Sequence, residues 1–310
     1  MRVLVTGGAG FIGSNLVRAL LGAGHEVAVV DDLSTGSPAN LDPRTAFRTM
    51  DILAPEFPAY LAQSAPEVVV HLAAQSSVAE SVRDPKRDHE VNAEGTRLVA
   101  KAAREAGVRR VLTASSAAVY GEPAELPLTE SSPTEPINPY GSSKLEAESL
   151  LAEELDGSGV DYASLRFANV YGPRQDAKGE GGVVAIFLGR VRNGEPPVVH
   201  GTGKQTRDFI YVGDLVAALL IAIEFEGSLA EQGSVYNIST GEPSSVEQLV
   251  GAIRQATAYF GPVEHQSPRE GDIEHSLLAP AKAQRVLGWR AGVPLETGVA
   301  LTWRWLSSQA

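Results

Sequence analysis

No cysteine occurs among the 310 residues of this sequence. Disulfides, thiolate metal sites and cysteine nucleophiles are therefore excluded, and no metal centre is expected. Positive charge is also scarce: 26 Lys and Arg stand against 38 Asp and Glu, for a net charge of −12. No basic cluster is longer than the Arg109-Arg110 pair. That argues against broad binding to nucleic acid or to an anionic membrane, while leaving room for a local phosphate pocket. Long apolar runs are missing too, none approaching the ~18 residues of a membrane span. The opening Met1-Arg2-Val3-Leu4-Val5-Thr6 turns to glycine too early to form a signal-peptide core. The expectation is a soluble cytoplasmic protein without nucleic-acid or membrane partners.

What is present is ordinary globular material, 43% hydrophobic and 21% charged. The length suits one large α/β domain or two smaller ones. Val3-Leu4-Val5 reads as a buried parallel strand. It runs into Thr6-Gly7-Gly8-Ala9-Gly10-Phe11-Ile12-Gly13, and a helical pattern follows through Leu16, Leu20 and Leu21. Strand, glycine turn and helix in this order predict a phosphate-binding turn. Gly7 would permit the tight turn, Gly10 the approach of a pyrophosphate, and Gly13 close helix–strand packing. A second strand, Glu26-Val27-Ala28-Val29-Val30, ends at Asp31-Asp32. An acid at this distance can accept hydrogen bonds from an adenosine ribose and would repel a 2′-phosphate, so NAD is favoured over NADP.

The βα rhythm continues. Ala46–Met50 leads to Asp51 and Ile52, placed to line an adenine pocket. Val68–Leu72 is a continuous apolar strand ending in Ala73-Ala74-Gln75, small residues that leave space for a flat ligand. His71 reads as a satisfied structural histidine. A helical segment over 88–107 precedes the strand 109–114, which delivers Ser115-Ser116-Ala117-Ala118-Val119-Tyr120 to the same crevice. Residues 121–139 carry five prolines and read as a loop returning to the site. Pro139 starts a helix to about Leu155 that places Tyr140 and Lys144 at i and i+4 on one face. An ammonium about 4 Å from the phenol contributes roughly 4 kcal/mol at an effective dielectric of about 20, or about three pKa units before screening. The pair reads as a proton-transfer group with a depressed tyrosine pKa.

The glycine turn, Asp31, His71-Leu72-Ala73-Ala74, Asn92, Ser116, Tyr140-x-x-x-Lys144 and Arg166-Phe167-Ala168-Asn169-Val170-Tyr171-Gly172-Pro173 occur together in this order. As a set they resemble the extended short-chain dehydrogenase/reductases, in the NAD-dependent nucleotide-sugar epimerase/dehydratase group, across nearly the whole chain. The resemblance implies a doubly wound Rossmann domain over residues 1–168, with 212–240 returning to it. It also implies a smaller C-terminal α/β domain, mainly 169–310, that binds a nucleotide sugar. Bound NAD would meet Gly7, Gly10, Phe11, Ile12, Gly13 and Asp31, with Asp51, Ile52, Leu72, Ala73, Ala74, Gln75 and Asn92 completing its site. Tyr140 would be the base, Lys144 would hold the nicotinamide ribose, and Ser116 would bind the reacting hydroxyl. Asn92 would support the active-site helix. Helices 88–107 and 140–155 resemble those of a four-helix homodimer interface, and they equally suit sheet-covering helices of a monomer.

Within this group, dehydratases resemble Thr-Asp-Glu where this chain has Ser116-Ala117-Ala118, and alanine transfers no proton. Epimerisation at C4 of a UDP-hexose is therefore the leading expectation. A UDP-glucuronate 4-epimerase is the nearest rival, with Arg174 or a loop amide as carboxylate donor. A ketoreductase or a non-catalytic NAD sensor are the others.

By resemblance, the substrate would meet Ser116, Tyr140, Asn169, Val183 and Val184 at a helix start, His200, and two diphosphate arginines, Arg207 and Arg269. Residues 174–182, with three glycines, suit a lid. Asp214 is expected to cap a helix. Segments 245–260 and 295–306 read as covering helices, with Trp289, Trp303 and Trp305 in the core. Ser276 aligns with a gate to the C2 substituent, where a small residue suits an N-acetylhexosamine as well as glucose and galactose.

Overall fold

The computed structural model describes residues 1–122, 125–176, 182–268 and 273–309. Its first half repeats strand and helix: β1 (Arg2–Thr6), α1 (Phe11–Gly22), β2 (Glu26–Asp31), β3 (Ala46–Thr49), α2 (Phe57–Ser64) and β4 (Val68–His71). Two short helices, α3 (Val78–Arg83) and α4 (Pro85–His89), follow, and then α5 (Gly95–Glu105), β5 (Arg110–Ser116), α6 (Pro139–Leu155) and β6 (Asp161–Phe167). The apolar runs seen in sequence are buried on both faces, as parallel strands covered by helices must be: all four residues of β4 are buried.

The second half comprises β7 (Asn169–Tyr171), α7 (Val183–Arg192), β8 (Val198–His200), β9 (Thr206–Tyr211), α8 (Val212–Glu224) and β10 (Val235–Ile238). It ends with β11 (Pro243–Ser245), α9 (Val246–Thr257), β12 (Glu264–Gln266), α10 (Ala281–Leu287) and α11 (Leu295–Ser308). Seven parallel strands form the central sheet in the order β10-β6-β5-β4-β1-β2-β3. The order of strand addition reverses between β1 and β4, opening a crevice at their carboxyl ends, where ligands of doubly wound sheets bind. Two small sheets, β11-β9-β7 and β12-β8, lie outside it.

One apolar core joins α1 and α8 to the sheet, with Leu16, Leu20, Leu215 and Leu219 almost fully buried. A second packs α2, α5 and α6 on the opposite face through Leu61, Val99 and Leu151. A third, around Phe187, Phe209, Leu249 and Val299, underlies the small sheets. Among the described residues, no helix is long and apolar enough to cross a membrane.

Two expectations need correction. The helical segment expected over 88–107 begins at Pro85, where Asp84 caps α4 through the Arg87 amide. It then passes through a π-turn at Glu90–Glu94 before continuing as α5. Asp214 does not cap α8: Tyr211 occupies that position, and Asp214 lies in the first turn. Its Oδ2 instead accepts from the Val293 amide at 2.9 Å, tying the C-terminal segment to α8.

Candidate active site

The glycine turn is held by backbone contact. The Gly7 amide donates to the Val30 carbonyl at 2.8 Å, and Gly7 adopts φ +68°. A Cβ on Gly13 would lie 2.1 Å from the Gly7 carbonyl oxygen, and one on Gly7 would lie 2.6 Å from the Ala73 nitrogen. Helix α1 starts at Gly10 with no side-chain cap and no acidic residue in its first turn. Its leading amides, including those of Phe11 and Ile12, are thus presented to an anion. At the end of β2, Asp31 accepts from the Ala9 amide through Oδ2 and from Leu33 through Oδ1, both at 2.9 Å. Burial, with Asp32 beside it, raises the Asp31 pKa against these hydrogen bonds. Each carboxylate oxygen keeps acceptor capacity for a ribose hydroxyl. These residues fit a dinucleotide.

Around the adenine end, Ile52 is buried and Asp51 accepts from the Leu53 amide at 2.9 Å and pairs with Arg87 at 3.3 Å. A Cβ on Gly95 would meet Ile52 Cδ1 at 2.8 Å, so the glycine after the π-turn makes room for that side chain. Leu72, Ala73 and Ala74 leave β4 half-buried along the crevice. Gln75 commits both side-chain donors within the protein, with Nε2 donating to Asp88 at 2.7 Å and to the Ser77 carbonyl at 2.9 Å. His71 is buried, with Nδ1 2.7 Å from Thr6 Oγ1. Burial, with Lys144 adding, lowers its pKa to about 3, so it is neutral at physiological pH and structural.

Asn138 caps α6 by accepting from the Gly141 amide at 2.9 Å, which fixes where Tyr140 enters the crevice. The Ser116 hydroxyl lies near enough to the Tyr140 phenol to lower its pKa, and Ser116 Oγ accepts from the Ala118 amide at 3.2 Å. Lys144 is buried one turn on, its Nζ donating to the Ala114 carbonyl at 3.1 Å. Helical spacing relates Tyr140 to Lys144, and the carboxyl end of β5 brings Ser116 to them.

The expected depression of the tyrosine pKa is not what the protein alone provides. Burial raises Tyr140, the Ser116 hydroxyl opposes this, and Asp88 raises it further. Lys144 Nζ stands over the tyrosine ring, 6.0 Å from its centre. Burial also draws Lys144 down to about 8, against the support of Asp88 and Glu148. With both groups taken out of water, desolvation outweighs the Coulomb attraction that spacing alone suggests.

Sequence reading missed the groups behind this pair. Asp88 is 1% exposed and accepts hydrogen bonds from Ser143, Gln75 and Asn92. Asn92, on the π-turn, also binds the backbone of Gln75 in both directions and donates to Ser143 at 3.1 Å. Glu148 is held by Arg166 at 2.7 and 2.8 Å and by Ser115 at 2.5 Å. Both acids lie at four-residue steps from a recognised residue, Asn92 and Lys144, and that periodicity was the available signal.

In the second half, Asn169 is exposed at the start of β7, in register with Phe209. Val183 begins α7, but the Val184 side chain is buried in the third core, so only its backbone can face a ligand. His200 Nδ1 lies 3.2 Å from the Ser267 carbonyl. Arg207 and Ser276 converge on one carbonyl, that of Thr206, which accepts from Arg207 Nη1 at 2.9 Å and the Ser276 amide at 3.2 Å. Arg269 and most of the expected lid, 177–181, lie outside the described residues. Arg174 donates to Asn15 on α1 at 2.6 Å. Among the described residues, no cluster of three or more His, Asp or Glu is arranged to hold a metal.

A seven-stranded Rossmann sheet with a glycine turn, a ribose acid and a Ser-Tyr-Lys group defines a nicotinamide-dependent enzyme of the extended short-chain type. Residues 3–239 match the NAD dependent epimerase/dehydratase family. The chain is 42% identical over 308 residues to the UDP-glucose 4-epimerase of Mycolicibacterium smegmatis, covering 97% of each protein. It superposes on the Thermotoga maritima UDP-glucose 4-epimerase, solved with UDP-glucose, at TM-score 0.95, with 40% identity and 99% of each chain covered. The Thermus thermophilus UDP-glucose 4-epimerase, solved with NAD, gives TM-score 0.91, 39% identity and full coverage of both chains. The chain belongs to the NAD-dependent epimerase/dehydratase family. Its cofactor is NAD, and it is an epimerase, an isomerase by reaction class.

Proposed function

We propose that the protein interconverts the C4 epimers of a UDP-hexose, UDP-glucose and UDP-galactose, and that it also accepts UDP-N-acetylhexosamines. The observation that carries the reading is the convergence of Ser116 and Tyr140 beside buried Lys144, with alanine at positions 117 and 118. Tyr140 takes the proton of the 4-hydroxyl, and Ser116 holds that oxygen in line. Bound NAD supplies the acceptor and later the donor of a hydride at C4, and its cationic ring favours the tyrosinate. Lys144 sits to hold the nicotinamide ribose and to steady the phenolate. The resulting 4-keto sugar turns over within the pocket, and Tyr140 returns its proton to the oxygen on the other face. Because Tyr140 regains its starting state, turnover needs no net proton exchange with solvent. Ala117 and Ala118, in the 3₁₀ turn after β5, place no second acid or base near C5 and C6, which disfavours dehydration.

Arg207, with Arg269, is assigned to the diphosphate, and Asn169 and the first amides of α7 to the same end of the ligand. Arg174, the donor considered for a uronate carboxylate, is engaged with Asn15 on the cofactor helix, which favours a neutral hexose over a uronate. Residues 1–168 with 212–240 form the NAD-binding unit in this reading, and the rest closes over the sugar. A homodimer through α4, α5 and α6 belongs to the same reading.

Incubation with UDP-glucose, UDP-N-acetylglucosamine and UDP-glucuronate, followed by NMR of C4 inversion, tests the proposal. The first two are expected to turn over. Ser276→Tyr should cut kcat/KM for the N-acetyl substrate at least tenfold while sparing UDP-glucose, since a bulky ring would occupy the space beside C2. Exclusive turnover of UDP-glucuronate would replace the hexose reading, and stoichiometric consumption of nicotinamide would replace epimerisation.

A further inference from the structure

Asp88 is a buried carboxylate that the reaction as described does not use. It ends α4 at 1% exposure. Its Oδ2 accepts from Ser143 Oγ at 2.5 Å, and its Oδ1 accepts from Gln75 Nε2 at 2.7 Å and Asn92 Nδ2 at 3.1 Å. The donors come from α6, from the segment after β4 and from the π-turn, so one side chain joins three elements. Three hydrogen bonds compensate this carboxyl group for the water that burial removes. Ser143 lies between Tyr140 and Lys144, so the grip falls on the helical turn that carries the reacting pair.

We propose that Asp88 is a positioning residue for proton transfer: it fixes α6 through Ser143, and its negative charge, shared with Glu148, keeps Lys144 protonated. The proposal rests on the assignment of Tyr140 and Lys144 as the reacting pair. Lys144 faces Asp88 from α4, Glu148 and Tyr140 from α6, and His71 from β4. The two acids favour its ammonium, and burial opposes it. Of the basic residues beside Asp88 on its own helix, Arg87 pairs with Asp51 and Glu90, and His89 with Glu146. Tyr140 faces Ser116 and Asp88, and the Asp88 charge disfavours its phenolate. Removing that charge therefore eases deprotonation of both groups.

The variant Asp88→Asn keeps the size and one acceptor oxygen but loses the charge. The Lys144 side-chain carbon resonance, assigned with Lys144→Arg, is titrated in the NAD-loaded protein, and kcat/KM for the UDP-sugar is measured against pH. In Asp88→Asn the Lys144 midpoint and both limbs of the rate profile are expected about one pH unit lower. A purely structural role would lower the height of the profile and the melting temperature without moving the limbs or the midpoint. Ser143→Ala, which cuts the grip and keeps the charge, should lower kcat several-fold with the Lys144 midpoint unmoved. Should Asp88→Asn not fold, Asp88→Ser carries the same expectation. A midpoint that stays in place, or moves upward, overturns the proposal. Full activity in Tyr140→Phe would instead overturn the assignment of the pair, and the resonance titration would still report on Asp88.

Discussion

At the scale of single residues, the crevice mixes side chains whose charge serves chemistry with one whose neutrality serves the fold. His71 is of the second kind, packed against Thr6 across the β1–β4 ladder. Its pKa is about 3 in the folded protein and about 6.5 in the unfolded chain, so between these values the unfolded chain binds more protons. Its contribution to stability is complete above about pH 6.5 and is lost as pH falls toward 3, at roughly 1.4 kcal/mol per pH unit. Wild type should thus lose about 2 kcal/mol more than His71→Gln between pH 7 and pH 5 in urea unfolding. Equal losses in the two proteins would mean that the imidazole is charged in the folded state. Sequence legibility at this scale follows chain distance. Tyr140 and Lys144 declare each other through helical spacing, and Asp31 through its place after β2. The bond of Asp88 to Ser143 spans 55 residues, and no local pattern announces it. The Tyr140 pKa was misjudged for a related reason, since spacing reveals a neighbouring charge but not the burial that opposes it.

Elements show the same division. Strands such as β1 and β4 were readable because each is a short apolar run bounded by turn residues, and the glycine turn because its spacing has a steric cause. The π-turn at Glu90–Glu94 was not readable, because Glu90-Val91-Asn92-Ala93-Glu94 suits an ordinary helix. Its extra residue is compatible with the tertiary demand that Asn92 reach Gln75 and Ser143 together. The glycines of the turn answer to different demands, and substitution should separate them. A Cβ on Gly13 would meet the Gly7 oxygen at 2.1 Å and Gly8 Cα at 2.7 Å, backbone atoms with no room to yield. On Gly10 the nearest atom is the Gly7 oxygen at 3.3 Å, a contact that slight adjustment relieves. Gly13→Ala should therefore lose about 1–3 kcal/mol of stability together with bound NAD. Gly10→Ala should keep its melting temperature and lose NAD, because its methyl group would stand where the pyrophosphate approaches the helix amides. Thermal melts and the NAD released on denaturation measure both, and full NAD content in Gly10→Ala would remove that glycine from the site.

For the whole molecule, the decisive feature is that the chain leaves the central sheet after β6 and comes back to it. Segment 169–211 builds part of the outer layer, α8 and β10 then rejoin the Rossmann sheet, and the chain goes out again from β11 before Leu278, Ala283, Leu287 and Trp289 pack back onto the first core. The two crossings make the central sheet and the outer layer mutually dependent. Without β10, the edge of β6 over Ser164–Phe167 loses its parallel partner. Without α8, the core loses Leu215, Leu219, Ala222 and Ile223. The buried Arg110 at the start of β5 loses the carbonyls of Ala222, Ile223, Phe225 and Gly227 to which it donates. Asp161 loses Ser228 and the Ala230 amide, leaving it Arg110 alone among these partners. An open strand edge, an uncovered apolar face and an under-satisfied guanidinium are each grounds for misfolding. A fragment of residues 1–168 should accordingly lack a cooperative urea transition and bind a hydrophobic dye, although it carries the glycine turn, Asp31, Ser116, Tyr140 and Lys144. Extending it through residue 240 should restore cooperativity and NAD binding, since β10 and α8 are then present. If the shorter fragment unfolds cooperatively and retains NAD, the return of the chain is dispensable and the cofactor half stands as a domain by itself.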